Sequence, residues 1–150
     1  MSKTAYWKEN WLRHRNVLIS LLDQIQEGHL DFKPWENAMT LRDLALHIAG
    51  SSEMFVKMVK TETMSAPDLP EVNTMDDLRK VVKQFTDQTA QAFDAITDEE
   101  LSLQNEAKIP GMQGKKELYL QAIYDHEIHH KGQLFIYARL VGATDLPFFR

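Results

Sequence analysis

Cysteine is absent from this chain of 150 residues, and that one absence closes off several chemistries. No disulfide framework, thiolate zinc site or cysteine nucleophile is available, so any metal must be held by histidine and carboxylate. Long apolar runs are missing too, and no segment approaches the roughly 20 apolar residues that a membrane span needs. The opening Met1-Ser2-Lys3-Thr4-Ala5-Tyr6-Trp7 turns amphipathic and charged at once, without the apolar stretch of a secretory leader. A cytoplasmic location with no membrane partner is the expectation. A basic stripe is also lacking. The formal net charge is −5, which argues against nucleic acid as a partner. Arg13-His14-Arg15 and Lys115-Lys116 are its nearest approach, and both read as short, solvated stretches of helix surface.

What is present is helical. Hydrophobic residues make up 43% and charged residues 26%, a globular balance, and residues 1–150 have the size of one domain with its own core. Four long amphipathic patterns follow one another, with no strand pattern between them. The first runs from about Thr4 to Glu27, with Trp7, Trp11, His14, Leu18 and Ile25 on one stripe and Gly28 as its stop. The second starts at a Thr40 cap and carries Leu44, His47, Ile48, Ser51, Phe55 and Val59 inward, ending near Lys60. Thr74 caps a third, whose apolar face runs from Leu78 to Ile96, and Asp98-Glu99-Glu100-Leu101 adds a short extra turn. The fourth extends from about Lys115 to Val141, with Tyr119, Ile123, His126, His130, Leu134 and Tyr137 on one stripe and Gly142 as terminator.

Four such helices make an all-α four-helix bundle the economical fold. Thr61 to Asn73, with Pro67 and Pro70, is an irregular link of 13 residues that could stretch roughly 43 Å. A 20-residue helix spans about 30 Å. A crossover between helices two and three is therefore allowed, leaving the two parallel.

The chemistry lies in the histidines. His126 and His130 stand one helical turn apart, which points both rings off one face with Cβ atoms about 6 Å apart. His47 lies on the inward stripe of the second helix. Inward imidazoles are costly unless their nitrogens find partners, and one divalent ion satisfies three at once, at about 2.0–2.1 Å for zinc. The alternative is that each is a hydrogen-bonded core or rim histidine; the i, i+4 pair with a third inward ring favours the metal. His129 points some 80–100° away from the pair. His14 competes for the third place but has arginines on both sides, which suggests solvent, and ranks below His47. His29, just past Gly28, is expected at the surface.

His126-Glu127-Ile128-His129-His130 also satisfies the H-E-x-x-H pattern of zinc proteases, in which the glutamate is the general base. A third ligand for that pattern is missing, because Ile136 stands where the extended motif needs histidine and no glutamate follows Glu127. The match reads as coincidence and Glu127 as a surface residue, with water activation as its outside role.

The inward His47 after Thr40-Leu41-Arg42-Asp43, the late His126-x-x-His129-His130-Lys131-Gly132-Gln133 run and the closing Leu140-Val141-Gly142 together resemble the DinB-like family of metal-binding four-helix bundles. The resemblance covers essentially the whole chain, and the HHKGQ stretch with the upstream histidine is its most specific part. It implies a bundle with a crossover between helices two and three. It also implies a divalent ion, often nickel or zinc, on a triad falling on His47, His126 and His130. Several relatives are transferases or isomerases acting with low-molecular-weight thiols, and many form homodimers.

Two functional classes follow. Three histidine ligands leave coordination positions open, as catalytic sites do. A small-molecule thiol entering there would be deprotonated by the cation and attack an electrophile, and the sulfur this chain lacks would arrive with the cosubstrate. Water in the same position would give a metal-dependent hydrolase. The other class is a non-catalytic metal or small-ligand binding protein. Tyr124, Lys131 and Gln133 are the nearby candidates for an anion pocket beside the metal. The tail Leu146-Pro147-Phe148-Phe149 with Trp7, Trp11 and Trp35 is more apolar surface than a small bundle needs to hide, which points to a twofold dimer; folding back of the tail onto the bundle is the alternative.

Overall fold

A computed structural model describes residues 1–150. It is entirely helical: α1 (Lys3–Asp23), α2 (Leu41–Thr61), α3 (Met75–Asp94), the single turn α4 (Asp98–Ser102) and α5 (Glu117–Leu140). No helix is long and apolar enough to cross a membrane. The threonine caps form where the sequence places them. Thr40 accepts from the Asp43 amide at 3.1 Å, and Thr74 makes a reciprocal box with Asp77, so orphan amides at both helix starts are satisfied. Gly142 closes α5 with φ +96°, a left-handed turn that glycine takes without strain.

One helix end differs from expectation. α1 stops at Asp23 with Gln24 as its cap, four residues short of Glu27, and Gly28 turns the loop beyond rather than ending the helix. The reason is tertiary. Arg79 of α3 donates to the carbonyls of Leu22 and Ile25 at 3.2 and 2.6 Å, taking acceptors that a further helical turn would have used. The Glu27 carboxylate meanwhile accepts from the Met75 amide at the start of α3, where the helix dipole favours an anion.

Side-chain bonds fix the helix directions. Lys3 meets Glu117 and Arg15 meets Glu127, so α1 and α5 run the same way. Lys8 reaches Asp94 while Arg79 reaches back to the end of α1, so α3 opposes α1. Lys116 donates to the Val59 carbonyl and Tyr137 to that of Met39, so α2 opposes α5. It follows that α2 and α3 run in the same direction, and residues 62–74 return along the bundle between them. Gly50 marks that return. A Cβ there would lie 3.3 Å from Leu69 Cδ2 and 3.4 Å from Pro67 Cγ, and the link lies against α2 at this point because the helix has no side chain there.

α1 and α2 each pack on both α3 and α5, a square with α1 and α2 on one diagonal. The core divides into two apolar clusters. The larger gathers Leu18, Leu21, Leu44, Ile48, Leu78, Val82 and Leu134. The smaller gathers Trp11, Met58, Phe93, Tyr119 and Ile123. Between them lies a polar layer made by Arg15, Ser52, Thr86 and Glu127, all buried. Arg13-His14-Arg15 is thus not solvated surface: Arg15 is fully buried and His14 nearly so. Trp11 is enclosed within the one chain, whereas Trp35, Phe148 and Phe149 keep their rings outward.

Candidate metal centre

α2 and α5 oppose each other along the groove where the triad forms. One turn of α5 separates His126 from His130, and the antiparallel pairing brings His47 of α2 opposite both. The three ring centroids lie 4.3–4.8 Å apart. One nitrogen from each ring falls within 4.8 Å of the other two, and Nε2 of His47 stands 3.0 Å from Nε2 of His126. Two nitrogens bound to zinc at about 2.0–2.1 Å across a tetrahedral angle would be roughly 3.3 Å apart. The observed pair needs only a small opening to reach that bite.

The outer nitrogens are partly committed. His130 donates from Nδ1 to Oε1 of Gln133 at 2.6 Å, because an amide oxygen can only accept. That leaves Nε2 with a free lone pair. Nδ1 of His47 faces Ser51 Oγ at 3.4 Å, a longer contact to a hydroxyl that can either donate or accept. Outer-sphere partners of this kind fix the tautomer and ring orientation of metal-binding histidines. Nδ1 of His126 is buried without a partner. Burial, then the neighbouring His130 and His47, hold the His126 imidazole down to about 3, and burial followed by His130 lowers His47. Both rings are neutral at pH 7 and can act as ligands, so the donor set fits a divalent transition metal.

All three histidines are half-buried. They lie where α2 meets α5, neither sealed in the core nor fully exposed, so an ion here would keep a path to solvent. The ring of Phe55 flanks His126 at 6.3 Å. His129 is exposed, with its ring 4.7 Å from that of His130, and stays outside the triad. His29 is half-buried rather than exposed. His14 does not approach the triad: it accepts from Nζ of Lys131 at 2.6 Å, on the α1 side of α5. Lys131 and Tyr124 share that side, leaving Gln133 as the one anion-pocket candidate that touches the triad.

Glu127 is neither a surface residue nor free to activate water. It is fully buried, and its two oxygens accept from Nε and Nη2 of Arg15 at 2.7 and 2.9 Å. The zinc-protease pattern therefore has no general base. A signal for this pair was available. Glu127 follows Ile123 and Leu120 at spacings of four and seven, and Arg15 follows Trp11 at four, so both charges stand at core positions. Ser51 and Gln133, four and three residues from their histidines, were equally open to that spacing argument.

Known proteins agree with this architecture. The DinB family model matches residues 1–149. The uncharacterized protein YjoA of Bacillus subtilis strain 168 is 34% identical over 144 residues, covering 94% of this chain and 92% of the relative. The crystal structure of that DinB-like protein superposes with a TM-score of 0.83 at 33% identity, covering 97% of each chain. A DinB-like protein from Bacillus cereus ATCC 10987 shares the fold at 19% identity, with a TM-score of 0.76 over 95% of this chain and 94% of that one. By the family model and the identity to YjoA, the chain belongs to the DinB family.

Proposed function

We propose that the chain binds one divalent transition metal, nickel or zinc, through His47, His126 and His130, and uses it to transfer a low-molecular-weight thiol to an electrophile. The observation that carries the metal is the convergence of three imidazole nitrogens within 4.8 Å, with the outer nitrogen of His130 tied to Gln133. Three half-buried protein ligands leave coordination positions open. An ion held by these three histidines would lower the pKa of an entering thiol and so supply a thiolate at neutral pH.

The residues themselves supply orientation. Gln133 ties the outer nitrogen of His130, and Ser51 stands beside the outer nitrogen of His47. Phe55 covers one flank, and a substrate approaches from the open side. With no cysteine in the chain, the reacting sulfur belongs to the cosubstrate.

The test is a panel of small thiols with a chromogenic electrophile, run on metal-loaded protein and on His126→Ala. Thiol consumption that needs both metal and His126 supports transfer. Stoichiometric metal without turnover of any thiol supports a non-catalytic metal-binding protein instead. A homodimer belongs to the same reading: light scattering near twice 17.4 kDa supports it, and a single-chain mass at all concentrations contradicts it.

A further inference from the structure

On the side of α5 turned toward α1, the chain buries a second cation that the metal centre does not use. Lys131 is 3% exposed. It follows His130 directly, and one residue of helix turns it about 100° away from the triad. Its ammonium meets two neutral acceptors, Nδ1 of His14 at 2.6 Å and the backbone carbonyl of Phe149. No carboxylate pairs with it: Glu127, one turn earlier, is held on both oxygens by Arg15. A buried ammonium without a counter-ion is an expensive group to keep.

Lys131 lines a cleft of about 700 Å³ between α1, α5 and residues 147–150, a volume within the usual range for small-molecule sites. Arg139 shares the lining, and no aspartate or glutamate side chain does, in a chain whose net charge is −5. The rest of the wall is apolar or aromatic, including Ile128, Phe135 and Phe149. The Arg139 guanidinium already lies over the Phe135 ring, 5.5 Å from its centroid. Phe148 and Phe149 are 73% and 58% exposed, so the segment covering the cleft lies on the bundle without burying its own rings.

We propose that this cleft binds a monocarboxylate carried on an apolar body, with its carboxylate on Lys131 and Arg139 and its apolar part against Phe135, Ile128 and the rings of residues 148 and 149. The carboxylate takes the place at Lys131 held by the Phe149 carbonyl, exchanging a neutral acceptor for an anion. The exchange adds the Coulomb attraction of opposite charges in a place where water screens it little. His14 keeps its own bond to the ammonium and sets its direction. The site stands apart from the triad and does not depend on a metal being bound there.

Isothermal titration of the full chain, stripped with chelator so that no metal can accept the carboxylate, tests this with decanoate as probe. Decyltrimethylammonium serves as the cationic control of equal chain length. Decanoate should bind saturably at about one per chain, at least about tenfold more tightly than the control. Lys131→Met should weaken it about tenfold or more, as loss of a charged hydrogen bond does, and His47→Ala should leave it unchanged. Arg139 is exposed, so Arg139→Gln folds even if Lys131→Met does not, and should weaken decanoate by at least about threefold. No saturable decanoate binding up to about 1 mM overturns the proposal. So does equal affinity for the two probes, or undiminished binding in Arg139→Gln or in a folded Lys131→Met.

Discussion

Arg15 and Glu127 hold each other through two hydrogen bonds of 2.7 and 2.9 Å, both side chains fully excluded from solvent. Around them the Arg15 guanidinium also donates to Thr86, to Ser52 and to the carbonyl of Ile48. One side chain of α1 thereby touches α2, α3 and α5 in a single layer, between residues adjacent to His47 and His126. Removing one member strands the other as a buried charge. Arg15→Met should cost about 3–5 kcal/mol in urea unfolding. Arg15→Met combined with Glu127→Met should cost less than the single change, because no uncompensated ion remains. A double variant weaker than Arg15→Met would contradict the pairing.

The histidines make stability depend on pH. Burial, and then Lys131, hold His14 down to about 4, and burial with the other triad rings holds His126 down to about 3, against ordinary values of 6.5. Between these limits the unfolded chain takes up protons that the folded chain refuses, so folding stability rises with pH. That stability is fully present above about 6.5 and is lost as pH falls toward 4. Metal-free protein followed by thermal circular dichroism should show its midpoint dropping from pH 7 to pH 5. His14→Gln should flatten part of the slope, and an unchanged slope in that variant would remove His14 from the account.

Gly50 tests the path of the link. Alanine there gains helix propensity of about 1 kcal/mol against a contact of 3.3 Å with a movable leucine side chain, and the two should roughly cancel. Gly50→Leu has no such escape and should destabilise by about 1–3 kcal/mol, as overpacking does. Tolerance of leucine without loss would mean that the link does not press on α2 at this point.

The capped helix starts, the Gly142 stop and the histidine stripes were legible because each is a local device, read within one or two turns of sequence. The stop of α1 was not, because Arg79 reaches it from 54 residues away in sequence and the apolar stripe runs on to Ile25 regardless. Glu127 and Arg15 were misplaced for a related reason. A charge on an apolar stripe is ambiguous until its partner on another helix is known, and neither helix alone announces the match. The three histidines could be grouped from the sequence where the ion pair could not, because two of them share a helix and fix one face by themselves. His14 then resolved away from the metal, since Lys131, which the sequence offered only as a neighbour, accounts for its buried nitrogen.

Glu127 also decides a negative. With both oxygens committed to Arg15 and no exposure, metal-loaded protein should not cleave casein. Metal-dependent cleavage abolished by Glu127→Gln would reverse that conclusion.

Elemental analysis reads the metal on the triad without any assumption about substrate. Protein purified without an affinity tag, loaded with nickel or zinc and freed of excess, should carry about one ion per chain. His47→Ala, His126→Ala and His130→Ala should each fall to a small fraction of that, while His129→Ala keeps it. Wild-type protein that retains no ion, or His47→Ala that retains a full one, would contradict the assignment.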